Sequence, residues 1–505
     1  MNDSTLLQLG LLIPLLALAG IQLTGRRANL REAVSLIAGT ALLAAMASLY
    51  RPVIDGQVIA AHWLDVLPGM ALAFRVEPLG LLFALVASFL WIVTTLYAIG
   101  YMRGHGERNQ TRFFSLFALS IAAVMGIAFA ENLFTLFVFY EILTLCTYPL
   151  VTHAGTDKAR KGGRVYLSVL LGTSIGFFLL AIVATWLLAG TLSFKAGGVF
   201  APGTSTALLS VLLVLYVFGV GKAAIMPFHR WLPAAMVAPT PVSALLHAVA
   251  VVKAGVFVLL KVCLMIFGLE TLQSIPATEW LLYLAGASIL LASIVALRQQ
   301  NLKKRLAYST VSQLGYITLG ALLATSAGAT GSALHIVMHA FGKITLFFCA
   351  GAILVAAHKT EIGELRGIGR QMPVTMTAFL IASLCIIGIP PTGGTWSKWY
   401  LMLGTFEAQQ WLLMALLMAS SLLSIAYLLP IPLRAFFEGS GGGSGGGQVG
   451  VETGGERPLT AGQGEAVEIR EAPLPSLIAL GVTAAGCVYL LLYPDVFYLL
   501  IKAGI

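Results

Sequence analysis

The sequence predicts an all-α integral membrane protein with about fourteen transmembrane helices, including two inverted five-helix repeats that contain broken helices. Three observations support this fold class. The 505 residues are 58% hydrophobic and 10% charged, whereas soluble domains carry roughly 25% charged residues. Apolar stretches of about 20 residues, long enough to cross a bilayer as a helix, recur along nearly the whole chain. Proline-interrupted stretches with a nearby lysine occur in both halves, as in inverted-repeat transporters.

The predicted helices follow one another with short connections. They cover residues 4–24, 32–50, 77–101, 112–130, 132–152, 164–190, 207–227, 239–266, 279–297, 303–325, 330–357, 373–409 (interrupted), 410–433 and 474–501. The first is interpreted as a retained span, because no basic segment precedes it as in a signal peptide. The domains are an N-terminal three-helix segment, a first repeat, a second repeat, a loop and a C-terminal helix, at 1–110, 111–266, 279–436, 437–473 and 474–505.

The two repeats are expected to be inverted because five is an odd number of helices. The second set then enters the membrane from the opposite side to the first. Each set also contains a proline break beside a buried lysine, with Lys222 before Pro227 and Lys398 after Pro390 and Pro391. Paired broken segments of this kind indicate the binding site of an inverted-repeat transporter.

Residues 437–473 predict a disordered cytoplasmic loop. The segment contains GSGGGSGGGQVG and is then rich in Glu and Gly, with almost no large apolar residues. Such a composition cannot bury a hydrophobic core. The GSGGGSGGG tract fits natural low complexity and an inserted linker equally well.

Basic residues are distributed asymmetrically between the predicted loops. With the N-terminus outside, 21 Lys and Arg residues fall on the inner side and 4 on the outer side. This asymmetry agrees with the positive-inside rule and explains most of the net charge of +9 without nucleic acid as a partner. We therefore expect a multi-pass protein of the cell inner (cytoplasmic) membrane, with both termini on the outer side.

No motif in the sequence indicates catalysis by this chain. Its five cysteines are scattered singly within apolar stretches, without metal-ligand or redox spacing. Phosphate loops, dinucleotide fingerprints, haem or iron–sulfur motifs and nucleophile triads are also lacking. We expect no cofactor and no metal, and any enzymatic role would belong to a larger complex.

Glu141 and Lys222 are charged residues within predicted helices of the first repeat. A charge at membrane depth costs about 2.5 kcal/mol or more, so it usually faces a partner, a cavity or an ion path. A carboxylate near a lysine lowers the cost of both charges, and a change in their separation shifts the proton equilibrium. The pair is predicted to form a switchable proton site. The alternative is a static ion pair that only orients helices.

His247 and Lys253 are predicted to relay protons within one helix. They lie six positions apart, which corresponds to about 9 Å of helical rise and could be bridged by water. Histidine titrates near neutral pH and therefore suits a relay. The alternative for His247 is a core histidine bonded to a backbone carbonyl.

His335, His339 and Lys343 form a titratable stripe in the sequence HIVMHAFGK. Their spacing of four residues places them on one helical face. Two histidines at this spacing could bind zinc, but the sequence offers no HExxH motif and no third ligand. We predict a hydrated proton relay.

Three further lysines lie in or at the ends of predicted spans. Lys398 follows the Gly/Pro break GIPPTGGTWSK, which makes room for water, and is predicted to be a terminal proton site facing outside. The alternative is that it snorkels to the interface. Snorkelling is our interpretation of Lys261, near a helix end. For Lys303 at a helix start, both an ion path and simple topology fit its position.

The motifs resemble those of a known family, the antiporter-like subunits shared by respiratory complex I, membrane-bound hydrogenases and Mrp-type cation/proton antiporters. The resemblance covers about residues 75–435 and rests on ENLFTLFVFYE, GKAAIMPFHRWLPAAMVAPTPVSALLHA, NLKKRLAYSTVSQLGY, HIVMHAFGKITLFFCAG and GIPPTGGTWSK. It implies a fourteen-helix fold with a central hydrated axis of charged residues. On length the chain resembles the D-type Mrp subunit, while APTPVSALLHA is similar to the distal complex I and large Mrp types.

The resemblance also implies a role in proton translocation for individual residues. Glu141 and Lys222 match a glutamate of helix 5 and its lysine partner of helix 7, and Lys303 matches a lysine of helix 10, with Asn301 where an acidic residue often stands. The remaining matched positions belong to relays in helices 8, 11 and 12: His247, Lys253, His335, His339, Lys343 and Lys398.

The predicted function is that of a proton-translocating subunit in a multi-subunit Mrp-type sodium/proton antiporter. Its expected partners are other membrane subunits, the lipid bilayer and protons, with sodium as a further candidate ion. One alternative is an antiporter-like subunit of a redox-driven complex, of the NADH:quinone oxidoreductase or membrane-bound hydrogenase type, or of an inorganic-carbon uptake complex. A passive scaffold, in which the charges only fix helix registry, is the other.

Overall fold

The computed structural model describes residues 3–67, 70–438 and 470–505, and this part of the chain is almost entirely helical. Eleven of its helices are long and apolar enough to cross a membrane. Two of the remaining predicted spans contain shorter apolar helices, Thr206–Gly219 and Pro373–Ile387. Another corresponds to the more polar helix Leu302–Leu322. Most of the predicted loop at 437–473, including the GSGGGSGGG tract, lies outside the described residues.

The N-terminal part contains three long helices and an unpredicted β-hairpin. Its elements are α1 Asp3–Leu23, α2 Ala28–Ser48, α3 Tyr50–Ile54, β1 Ala60–Leu67, β2 Met70–Arg75 and α4 Pro78–Gly104. The two strands pair antiparallel with irregular register. The buried ring of Phe74 on β2 packs edge-on against Trp63 and Phe139. This packing fixes the hairpin against the first repeat.

The first repeat is interrupted in three of its five spans. Its elements are α5 Gln110–Ala128, α6 Leu133–Val151, α7 Asp157–Thr173, a π-helix Ser174–Phe178, α8 Leu179–Ala189, α9 Thr206–Gly219, 3-10 turns Gly221–Ala223 and Ala235–Val237, α10 Trp231–Ala234, α11 Thr240–Ala244, a π-helix Leu245–Val249, α12 Val251–Val262 and a π-helix Cys263–Phe267. The helix predicted at 164–190 begins earlier, because Thr156 caps its N-terminus. The continuous helix predicted at 207–227 is wrong, since α9 ends at Gly219.

The second repeat follows a short helix, α13 Leu269–Ser274. It comprises α14 Pro276–Arg298, α15 Leu302–Leu322, α16 Ser326–Ala357, 3-10 turns Ile362–Leu365 and Ile368–Arg370, α17 Pro373–Ile387, α18 Gly394–Glu407, α19 Trp411–Leu428 and α20 Pro430–Phe437. The predicted interruption within 373–409 is confirmed as the break between α17 and α18. The last predicted helix is divided at Pro494 into α21 Leu474–Leu492 and α22 Asp495–Gly504.

The two repeats share a local pattern at their second helices. The side chain of Asn132 caps α6, and that of Asn301 caps α15. Each asparagine also forms an isolated antiparallel bridge with a loop after the next span, at Ser193 and Glu361 respectively. A shared cap and bridge at equivalent positions are what an internal structural repeat produces.

Buried polar contacts join the other segments to the repeats. Glu32 of α2 forms an ion pair with Arg103 of α4, and its neighbour Arg31 bonds to Gln110 and Thr111 near the start of α5. Arg31 and Arg103, predicted to serve only membrane topology, therefore also fix the N-terminal helices. The carboxylate of Glu471 accepts hydrogen bonds from the backbone of α17 at its first turn, where a negative charge is favourable.

Candidate functional site

Lys222 is fully buried and lies on a 3-10 turn, not on the α-helix that the sequence predicts. Its ammonium donates to the carbonyl oxygen of Tyr140 at 2.8 Å and to Oγ1 of Thr144 at 2.6 Å. The same nitrogen lies 3.1 Å from the centre of the Tyr140 ring, where a cation is attracted to the ring face. The break in the helix thus directs the ammonium onto α6.

Glu141 lies beside this contact without joining it. Among the described residues Lys222 has no ion pair, so the predicted direct pairing with Glu141 is absent from this conformation. Both carboxylate oxygens of Glu141 are buried and lack a hydrogen-bond partner in the described part of the chain. An unpaired buried carboxylate is costly. The Lys222 region therefore carries one charged group that the present arrangement leaves unsatisfied.

Lys253 and two histidines form a contact line between the repeats. The ammonium of Lys253 on α12 is hydrogen-bonded to Nδ1 of His339 on α16. The rings of His339 and His335 are stacked, with centres 5.8 Å apart and planes inclined by 16°. All three side chains are at most 2% exposed. The predicted histidine face is therefore present, and Lys253 contacts it across the boundary between the repeats.

His335 continues this line towards the broken helix of the second repeat. Its Nδ1 is 2.9 Å from the hydroxyl of Ser397, and its Nε2 is 3.0 Å from Oε1 of Gln313. Its ring also stacks on Tyr316, whose face lies 4.8 Å from the ammonium of Lys398. Because both ring nitrogens are hydrogen-bonded, a proton can enter on one and leave from the other.

Lys398 lies at the end of the line and borders a cavity. Its ammonium donates to the hydroxyl of Ser421 at 2.9 Å, and its aliphatic stem packs against Gly388 at the break between α17 and α18. The adjoining cavity, of about 310 Å³, is also lined by Tyr316 and Ser421. The side chain is only 7% exposed, which does not support the snorkelling alternative.

Lys343 and Lys303 bond to neutral acceptors. The ammonium of Lys343, on α16, donates to the hydroxyl of Ser309 at 2.6 Å and to the carbonyl oxygen of Leu306 at 3.3 Å. The ammonium of half-buried Lys303 donates to the carbonyl oxygen of Ala238 at 2.6 Å. Lys303 therefore contacts the loop that joins the last two spans of the first repeat.

His247 is placed near the other groups without bonding to them. It lies on the π-helix Leu245–Val249 and is fully buried, with its ring 4.6 Å from that of Phe347. Neither ring nitrogen has a hydrogen-bond partner in the described residues, so the alternative of a carbonyl-bonded core histidine is wrong. Its role in a relay stays a prediction.

Lys261 corrects an interpretation made from the sequence. The expected snorkelling is wrong, since the side chain is fully buried and its ammonium lies 2.8 Å from Oε2 of Glu77. The carbonyl oxygen of Ala130 and the ring of Phe194 complete its surroundings. Nearby Glu131, which we expected to be simply solvated, forms a 2.7 Å ion pair with Arg75.

The residue types of the site were predictable, but several bonding partners were not. Tyr140, Thr144, Ser397 and Ser421 bond directly to the predicted residues, yet nothing in their spacing distinguishes them from ordinary polar residues of membrane helices. Gln313 could be anticipated only as a polar group within a helix. In the described part of the chain, no three His, Cys, Asp or Glu residues cluster as metal ligands would.

Comparison with known families gives two matches along the chain. Residues 130–424 match the family model described as "NADH:quinone oxidoreductase/Mrp antiporter, TM". Residues 63–114 match the model "NADH-Ubiquinone oxidoreductase (complex I), chain 5 N-terminus". The first match contains every candidate residue of the site, and the second contains most of the β-hairpin and α4.

Similar proteins occur among curated sequences and solved structures. The chain is 35% identical over 377 residues to NADH-quinone oxidoreductase subunit N of Desulforudis audaxviator, covering 74% of each protein. It is 35% identical over 380 residues to a probable K(+)/H(+) antiporter protein of Rhizobium meliloti, covering 73% of this chain but only 37% of that relative. Its fold matches a chain of the Mrp complex from Dietzia sp. with a TM-score of 0.83 and 22% identity, over 100% of this chain and 97% of that one.

Proposed function

This chain belongs to the NADH:quinone oxidoreductase/Mrp antiporter transmembrane family, and we propose that it conducts protons across a cell membrane. The conducting groups are Glu141, Lys222, Lys253, the histidine pair and Lys398, with His247, Lys303 and Lys343 beside them. The chain acts as one membrane subunit of a multi-subunit Mrp-type sodium/proton antiporter. It lies in the inner membrane with both termini on the outer side, an orientation supported by the distribution of basic residues.

The line from Lys253 through His339 and His335 to Lys398 carries this proposal. It combines titratable groups, nearly complete burial and hydrogen bonds or ring contacts at each step. Lysine and histidine can each gain and lose a proton, so a charge can pass along them without a cofactor. A charged lysine cannot coordinate a metal cation, which favours protons over sodium in this subunit.

Replacement of the central histidine tests the line. In the assembly purified from its native membrane and reconstituted into liposomes, we expect His339→Ala to lower proton flux by roughly a hundredfold, the usual scale for loss of a proton-transfer group. The control is His62→Gln, which changes a histidine with a 56% exposed side chain on the hairpin. Unchanged flux in a folded His339→Ala assembly would contradict the proposal.

A redox-driven complex is the second candidate, supported by the similarity to an NADH-quinone oxidoreductase subunit. The two candidates differ in their partners, which can be identified by mass spectrometry after tagged protein is purified in mild detergent. Other antiporter-like subunits and small hydrophobic proteins without redox proteins would support the Mrp-type assembly. Iron–sulfur or flavin subunits would instead support a proton-pumping arm of a redox enzyme.

A further inference from the structure

A cluster of buried hydroxyl groups fills the space between Lys343 and Lys398. It is formed by three helices of the second repeat, α14, α15 and α19. We call it the hydroxyl cluster and define it as Ser293, Ser309, Ser312, Tyr316, Ser420, Ser421, Ser424 and Tyr427. Apart from Ser421, these side chains are at most 1% exposed. The sequence singled out Ser309 and Ser312 only as groups that could hold water.

The cluster begins at Lys343. The ammonium of this lysine donates to Ser309 at 2.6 Å, and the Ser309 hydroxyl lies 3.0 Å from that of Tyr427. Tyr427 also interacts with the hydroxyls of Ser424 and Ser293. Three hydroxyl groups thus carry the contact from α16 through α15 and α19 to α14.

The cluster continues from Ser293 to Lys398. The hydroxyl of Ser293 lies 3.0 Å from that of Ser420, and Ser420 also contacts the hydroxyl of Tyr316. Tyr316 lies 3.4 Å from Ser421, which accepts from the ammonium of Lys398 at 2.9 Å. The two lysines are therefore joined by hydroxyl groups without a step through His335 or His339.

We propose that the hydroxyl cluster carries protons between Lys343 and Lys398 in parallel with the histidine pair. In this step the Lys343 ammonium loses one proton to Ser309. Each hydroxyl passes its own proton to the next, and the Lys398 amine gains one. The hydroxyls are neutral before and after, so one N–H bond breaks, one forms and the positive charge moves between the lysines. This inference rests on the proposed function, because it needs protons to pass through this repeat.

A purely structural role is the competing interpretation, since serines commonly bond across helices in membrane proteins. The two interpretations differ in how a serine substitution combines with the loss of the histidine route. If two routes run in parallel, closing either leaves the other open, and closing both stops the flow. A packing defect combines with an independent defect by simple multiplication of the two effects.

The test measures proton flux in the reconstituted assembly for Ser293→Ala, His335→Ala and the double variant. We expect the double variant to fall about tenfold below the product of the two single effects, about 1.4 kcal/mol of coupling. Ser293→Thr, which keeps the hydroxyl, should restore flux in the His335→Ala background. A double variant at or above the product, or no restoration by threonine, would overturn the inference.

The matched control is Ser383→Ala on α17. Ser383 is also fully buried, but its hydroxyl donates to the carbonyl oxygen of Phe379 in its own helix. Combined with His335→Ala, it should give the product of the two single effects. Absence of proton flux in the unsubstituted assembly would instead contradict the proposed function itself, which separates the two failures.

Discussion

The buried lysines fall into two groups according to their acceptors. Lys222, Lys253 and Lys343 bond to carbonyl, hydroxyl or imidazole groups, and none has an ion pair among the residues that the structure describes. Lys261 bonds to the carboxylate of Glu77. A lysine held by neutral groups can release its proton without leaving a partner charge unpaired, whereas Lys261 cannot. This difference separates proton-carrying lysines from one that fixes α12 to the start of α4.

The Lys261–Glu77 pair gives a prediction for stability. Removing one partner of a buried pair leaves the other charge uncompensated and costs about 3–5 kcal/mol, so Lys261→Met and Glu77→Gln should each lower the unfolding temperature in detergent. The double variant should recover much of the loss. The control is Arg160→Ala, from an exposed pair with Asp157 that should matter little. A Lys261→Met protein as stable as the parent would contradict the assigned role.

At this scale the sequence predicts residue types better than contacts. Ionisable residues in apolar segments are rare and costly, so Lys222, Lys253 and His339 could be selected without a structure. Their partners come from helices distant in sequence, as with Tyr140 and Lys222. Spacing along one helix contains no information about these contacts.

Among the elements, the broken span that carries Lys222 depends on a close approach by α12. A Cβ placed on Gly255 would lie 2.4 Å from the carbonyl carbon of Lys222 and from the backbone nitrogen of Ala223. Both are backbone atoms, which cannot move aside as a flexible side chain can. Only glycine at this position lets the 3-10 turn rest directly on the helix.

Gly255→Ala should therefore displace the turn that carries Lys222. We expect a stability loss of about 1–3 kcal/mol from overpacking and reduced proton flux, because the ammonium moves away from Thr144. The control is Gly172→Ala on α7, where an added Cβ meets no atom within 4 Å. Equal stability and flux in the two variants would show that the close approach is unimportant. Thermal unfolding and the liposome assay measure the two effects.

The predictability of the elements follows the strength of their apolar pattern. Long uniform stretches such as α4 and α16 were placed to within a few residues, since nothing competes with helix there. The span at 207–227 failed because Gly219, Gly221 and Pro227 end the helix while its hydropathy continues. The hairpin at 60–75 was missed because its two short strands are specified by contacts with the first repeat.

For the whole molecule, the two repeats meet where Lys253 contacts His339. The hydrogen bond joins α12 of the first repeat to α16 of the second. Movement of one repeat against the other would therefore change a contact within the proton path. Fourteen spans and an internal repeat were predictable from composition, odd helix number and paired breaks. The juxtaposition of α12 and α16 was not, because it depends on packing between repeats.

The central claim is that protons pass along the buried titratable chain, and it is tested most directly at Lys222. The assembly is reconstituted into liposomes, a potassium diffusion potential is imposed, and proton entry is followed with an internal pH dye. We expect Lys222→Ala to abolish the flux while the assembly stays folded. Lys158→Ala, which changes an exposed lysine near the start of α7, should leave the flux unchanged. Normal flux in a folded Lys222→Ala assembly would contradict the account.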